Sequence, residues 1–180
     1  MRHNITESFQ VPEGIQCEYK DRVISCTKGG VTLTRLLDSP EMDIILKGNT
    51  LTVSCLKGNK YHRALIRSLA AHMRNIFAGL EEEFTYNLEA CNVHFPMTLK
   101  LDATSLTINN FLGEKTPRKA EILPGVKVEV KGLKITVKSP NREAAGQTAA
   151  NIEKATKVRN RDRRVFQDGI YITSKPGRGM

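Results

Sequence analysis

Hydrophobic and β-branched positions alternate with polar ones in short runs along this chain, and the runs come in matched pairs. IILKGNTLTVSC (44–55) and VEVKGLKITVKS (128–139) are each two alternating stretches joined at a Lys-Gly pair, Lys47-Gly48 and Lys131-Gly132. A period of two broken by glycine predicts a β-hairpin, because glycine accepts the positive φ that a tight turn needs. A helical period follows each hairpin. Tyr61, Leu65, Leu69, Met73 and Phe77 recur every fourth residue, with Ile66 and Ile76 alongside. This predicts a helix over 60–77, started by Asn59 as cap and ended by Gly79. After the second hairpin, Ser139-Pro140 reads as an N-cap followed by a first-turn proline. The buried stripe of that second helix is Ala145, Ala149, Ile152 and either Ala155 or Thr156. Side chains this small predict a helix lying close to its sheet.

The pairing is a repeat. Residues 22–55 and 106–139 align without gaps at an offset of 84, with eight identities in 34 positions. Ile24 faces Ile108, Gly29 faces Gly113, Thr32 faces Thr116 and Pro40 faces Pro124. Lys47-Gly48 and Thr52-Val53 face Lys131-Gly132 and Thr136-Val137. Strands followed by a helix, twice over, predict an α+β fold of two tandem, similar domains, each a small antiparallel β-sheet packed against one α-helix. The expected division is 1–79 and 80–180, the second domain carrying a basic extension over 157–180, with the join inside GLEEEFTYNLEACNVHFP (79–96). Units of about 80 residues lie near the lower limit of what one core stabilises.

Charge changes the picture from fold to partner. The chain of 180 residues has 28 Lys and Arg against 19 Asp and Glu, a formal charge of +9. From Lys157 to Met180 seven cations stand against two acids, so over half the excess sits in the last 24 residues. Lys157, Arg159, Arg161, Arg163 and Arg164 fall within eight residues, opposed by Asp162. Such cations repel one another until a polyanion separates them, and against phosphate they release counterions and drive binding. Four of the five are arginines, which suits forked phosphate contacts or stacking on bases. Phe166, Ile170 and Ile172 in the following FQDGIYITS predict that this turn is held against the second domain. A soluble basic tail is the plainer alternative. Lys115, Arg118 and Lys119 form a second cluster in NNFLGEKTPRKAEILPG (109–125), read as a Gly/Pro-punctuated stretch between strands, either an RNA contact or a lysine-protected edge. Lys60, Arg63, Arg67 and Arg74 line one face of the first helix, which reads first as a solvated face and second as a binding stripe.

Catalytic and metal chemistry find little support. None of the nucleotide-binding, metalloprotease or nucleophile-elbow motifs occurs, and TKGGVT lacks phosphate-loop spacing. Glu81, Glu82 and Glu83 read as a solvated boundary. Cys17, Cys26, Cys55 and Cys91 form no close pair, and His3, His62, His72 and His94 are scattered, so no zinc site is expected. Cys26 and Cys55 read as small hydrophobes inside strands. No apolar run is long enough to span a membrane, and MRHNITESFQVPEGI has no signal-peptide core. The expectation is a cytoplasmic protein with no cofactor, no catalytic residue and no small-molecule substrate. RNA recognition signatures of the RRM and KH kind are also missing.

FTYNLEACNVHFP (84–96), NNFLGEKTPRKAEILPGV (109–126) and ATKVRNRDRRVFQDGIYIT (155–173) resemble the large-subunit ribosomal protein six family in universal numbering, archaeal/eukaryotic branch, and the likeness extends over essentially the whole chain. The resemblance implies two duplicated sheet-and-helix domains, no enzymatic activity, and binding to large-subunit rRNA chiefly through the C-terminal domain. It implies a place near the stalk base, the sarcin-ricin loop and the translation-factor docking region, beside other large-subunit proteins. It carries RNA contact over to Lys115, Arg118, Lys119, Lys157, Arg159, Arg161, Arg163 and Arg164, and to Lys175 and Arg178 in the tail. A non-ribosomal RNA-binding assembly or processing factor would share the charge pattern.

Overall fold

The computed structural model describes residues 3–37, 42–93 and 95–177. The chain divides into two compact units, Met1–Glu82 and Glu83–Met180. Pro40, His94 and Arg178 lie outside the described residues.

The first unit contains β1 (His3–Gln10), β2 (Gln16–Lys20), β3 (Val23–Lys28), β4 (Val31–Leu36), β5 (Asp43–Lys47), β6 (Thr50–Gly58) and α1 (Lys60–Glu81). Its described strands form two antiparallel sheets, in the orders β1-β6-β5 and β2-β3-β4. Helix α1 packs on strands of both, with Ile66, Leu69, Met73 and Phe77 buried against Ile24, Leu51 and Val53. The second unit repeats this plan. It contains β7 (Phe84–Cys91), β8 (Thr98–Leu101), β9 (Ser105–Asn109), β10 (Arg118–Glu121), β11 (Lys127–Lys131), β12 (Lys134–Ser139), α2 (Arg142–Ala155) and β13 (Gly169–Ser174). Its sheets run β8-β9-β10 and β11-β12-β7-β13. Helix α2 packs on β7, β10, β12 and β13.

The α+β duplication is borne out, with the described strands of each unit forming two small sheets rather than one. The repeat holds in three dimensions. Strand β5 maps onto β11 and the start of β6 onto the start of β12 at the same offset of 84. Ile24 and Ile108, and likewise Val53 and Val137, are 0% exposed, so these identities coincide with fully enclosed core positions. At the paired hairpins Gly48 and Gly132 take φ of 56° and 62°, where a side chain would be strained. TKGGVT is the β3–β4 hairpin, with Gly29 and Gly30 both at positive φ as a primed two-residue turn requires. Cys26 and Cys55 are buried in strands as expected. Across β2 and β3, Cys17 Sγ and Cys26 Sγ lie 2.7 Å apart, and burial raises both thiol pKa values.

Four local expectations need correction. Tyr61 is exposed, because at the second residue of α1 it precedes the turns that reach the sheets. Gly79 does not end α1; it is buried on the packed face, and the helix runs to Glu81, where the Glu82 amide donates to Ala78 O at 2.9 Å. Ser139 does not cap α2. It is the last residue of β12, held extended ahead of Pro140, and its Oγ donates to Gly125 O at 2.9 Å. The cap is Asn141, whose side chain accepts from the amides of Glu143 and Ala144 at 3.0 and 3.3 Å. Finally, the stretch 109–125 is not wholly a loop: Arg118 and Lys119 open β10, paired with Ile108 and Thr107 of β9. Elsewhere Asn59 caps α1 as expected, reciprocally with His62. The small-residue stripe does bring α2 close: a Cβ on Gly146 would stand 3.0 Å from Tyr86 Oη.

Asn141→Ala is expected to lower unfolding stability by about 1 kcal/mol, read from denaturant midpoints. No change would mean that Ser139, not Asn141, starts the helix.

Candidate nucleic-acid interface

The cationic segment 157–168 is irregular backbone between α2 and β13, and both its ends are tied down. At its start, buried Thr156 Oγ1 accepts from the Ile170 amide at 2.8 Å and donates to Glu153 O at 3.2 Å. At its end, buried Asp168 Oδ1 accepts from the Val93 amide at 2.9 Å. Between them Val158 is buried and Phe166 packs half-buried on the core, and just past the end Ile170 is buried. Strand β13 then pairs antiparallel with β7, Ile170 opposite Ala90 and Ile172 opposite Leu88. The expected docking of Phe166, Ile170 and Ile172 is therefore observed, and a free basic tail is excluded for these residues.

The second cationic cluster is fastened to the first by Arg118. Its Nε and Nη2 form a fork on Glu114, at 2.8 and 2.6 Å. Nη1 donates to Ala155 O at 2.9 Å and to Lys157 O at 3.3 Å. The guanidinium also lies 4.2 Å from the centre of the buried Phe111 ring. Phe111 sits in a tight turn in which Asn110 and Leu112 are left-handed, φ 59° and 49°. A left-handed leucine persists only where surrounding contacts over-determine it, and the stack on Phe111 and the Glu114 fork are such contacts. The Arg118 hydrogen bonds, aided by the charge of Arg161, hold the Glu114 carboxyl below its ordinary range. Arg118 is thus a strut joining the 111–119 segment to the end of α2, with most of its donors occupied inside the protein.

The other predicted cations fall into three groups. Lys115, Lys119, Lys157, Arg159, Arg161 and Arg163 are exposed. Two adjoining grooves at the C-terminal end of α2 gather several of them. One, of about 840 Å³, is rimmed by Lys154, Lys157, Arg159 and Arg163. The other, of about 320 Å³, lies between Arg118, Lys119, Lys154 and Arg159. Arg161 leans on Phe166, 4.9 Å from the ring centre. Arg164 is spent on a local pair: Nε and Nη2 reach the Asp162 carboxylate at 3.2 and 3.1 Å, and these hydrogen bonds hold the Asp162 pKa down. Lys175 lies past the far end of β13, outside both grooves. Lys154 was not singled out in the sequence; its place in the last turn of α2, three residues before Lys157, was the available signal. A helix C-terminus carries partial negative charge, which offsets the mutual repulsion of cations placed there. Lys60, Arg63, Arg67 and Arg74 are exposed on α1, with Arg74 Nε donating to Ala70 O of its own helix at 3.3 Å.

Residues 95–169 match the family model described as Ribosomal protein L6. The chain is 38% identical to the large ribosomal subunit protein uL6 of Haloarcula marismortui, over 95% of this chain and 96% of that one. The chain belongs to the uL6 family. The same description is carried by relatives from Methanococcus vannielii, 38% identical over 97% of this chain and 96% of theirs, and from Methanobrevibacter smithii, 37% identical over 95% and 96%. Membership of uL6 makes the chain a structural, non-enzymatic protein of the cytoplasmic large ribosomal subunit, assembled with rRNA and other ribosomal proteins. It decides against the assembly or processing factor that charge alone leaves open. Among the described residues no group of three His, Cys, Asp or Glu is placed to hold a metal, and no helix is long and apolar enough to cross a membrane.

Arg118→Gln is expected to cost about 1–3 kcal/mol, since it unpairs a half-buried charged network, whereas Lys115→Gln and Lys119→Gln stay within about 0.5 kcal/mol. Glu114, with its lowered folded pKa, contributes stability that is full above the unfolded value near about 4.3 and lost as pH falls through the folded value. Glu114→Gln should therefore flatten the acid limb of the stability curve. Equal stability of all these variants in a denaturant titration would contradict the strut.

Proposed function

We propose that this protein binds large-subunit rRNA chiefly through its second unit, using the cations gathered at the C-terminal end of α2. The observation that carries this reading is convergence: Lys119 from β10, Lys154 from α2, and Lys157, Arg159 and Arg163 from the following segment rim two adjoining grooves. Three separate elements supply one cationic surface. Its backbone is fixed beforehand by Arg118, Thr156 and Asp168, so little ordering entropy is lost when phosphate arrives. Contacts of this kind position RNA rather than read its sequence. The mechanism is electrostatic and steric, neutralising phosphates where rRNA segments approach closely. Lys115 and Arg161 extend the surface. Arg118 and Arg164 act on protein groups and shape it, and Lys175 makes a separate contact. The family resemblance of the segments 84–96, 109–126 and 155–173 supports a location near the stalk base and sarcin-ricin loop.

A salt titration of rRNA binding tests this. Removing the whole segment would also remove β13, so substitution is the cleaner probe. The triple variant Lys157→Gln, Arg159→Gln, Arg163→Gln should flatten the slope of log K against log salt by about 2 to 3 units, at roughly 0.7–0.9 per lost phosphate contact. An unchanged slope with the fold intact would place the RNA contact elsewhere.

A further inference from the structure

Phosphate binding accounts for the rim of the larger groove but not for its interior. Beside the cations the same groove is lined by the apolar and aromatic Val158, Phe166, Ile170 and Tyr171. Tyr171 is a strand residue with a large ring and is 44% exposed. That ring is held in place: its hydroxyl donates to Gln167 O at 3.0 Å. It folds back over Gly169, where a Cβ would meet ring atoms at 3.1–3.2 Å. A side chain at 169 would push that ring aside by a few tenths of an ångström. The groove's carboxylate, Glu153, is turned to the protein, its Oε1 accepting from the Ile172 amide at 3.3 Å. At about 840 Å³ the groove lies inside the range of roughly 300–1,000 Å³ typical of small-molecule sites.

A surface that only tracks a duplex backbone has no use for an apolar hollow with an immobilised ring. An unpaired nucleotide does, because its base needs an aromatic face while its phosphate needs cations. We propose that this groove receives a single unstacked rRNA nucleotide, its base against Tyr171 and its phosphate toward Lys157 and Arg163. The lining fits that occupant: four cations and four apolar or aromatic side chains share one groove. Duplex rRNA would meet the rim alone. This assignment rests on the RNA-binding reading above.

The test uses the full chain bound to large-subunit rRNA. Tyr171→Leu should weaken binding by about 5- to 150-fold, the loss of one base stack, with an unchanged salt slope. Tyr171→Phe, which keeps the ring, should retain most of the affinity. Ultraviolet cross-linking of the wild-type complex should join Tyr171 to one nucleotide, and that nucleotide should be unpaired by base-specific chemical probing. Thermal midpoints near wild type exclude misfolding as the cause. If wild type binds but Tyr171→Leu binds within about twofold, or the cross-linked nucleotide is paired, the base site is overturned and the phosphate surface stands. If wild type does not bind rRNA, both readings fall together.

Discussion

The ladder between β13 and β7 is the contact on which the presentation of charge depends. A segment with five cations in eight residues has no reason to adopt one conformation in water. It acquires one because the chain after it must return to the sheet. Ile170 and Ile172 fall into register opposite Ala90 and Leu88, and Ile170 is enclosed. Burying such side chains contributes roughly 1.5–3 kcal/mol each. The Ile170 amide then closes on Thr156, so the two ends of the segment meet over the end of α2. The first unit, built on the same plan, has no equivalent of β13 in its described sheets. The added strand is thus the structural difference that accompanies the concentration of charge in the second unit.

Electrostatic repulsion among the cations is met by division of labour. Arg164 has Asp162 and Arg118 has Glu114. Lys154, Lys157 and Arg159 sit where the helix terminus is negative. What remains unneutralised is the portion turned to solvent. Exposed pairs such as Arg164–Asp162 stabilise little, and their role is better seen as fixing where the guanidinium points. Arg118 differs because its donors reach main-chain carbonyls on two sides of the α2 end, turning a charged residue into a brace.

Much of this was legible in the chain. The hairpins were, because period two and a positive-φ glycine leave few alternatives. The duplication was, because its identities include core positions such as Ile24/Ile108 and Val53/Val137. The docking of the basic turn was, because FQDGIYITS carries its own apolar anchor. The losses are as instructive. Arg118 is indistinguishable from Lys119 by charge or spacing; only the fold brings Glu114, Phe111 and the carbonyls of Ala155 and Lys157 within its reach. Lys154 was hidden because a cation near a helix end reads as ordinary solubility until the following loop folds back beside it. Tyr61 extended an apolar stripe beyond the point where the sheets could cover it. Splitting each unit into two sheets leaves no trace in local pattern, since both kinds of strand alternate alike.

The cationic surface is preformed on the free protein. Amide hydrogen exchange of the unbound chain tests it most directly. The amides of Ile170 and Ile172 should exchange as slowly as those of Ile135 and Val137 on β12, with the Val93 amide also protected by Asp168. Exchange of Ile170 and Ile172 at the rate of an unfolded chain, alongside a protected β12, would contradict it and mean that the segment is unfolded in the free protein.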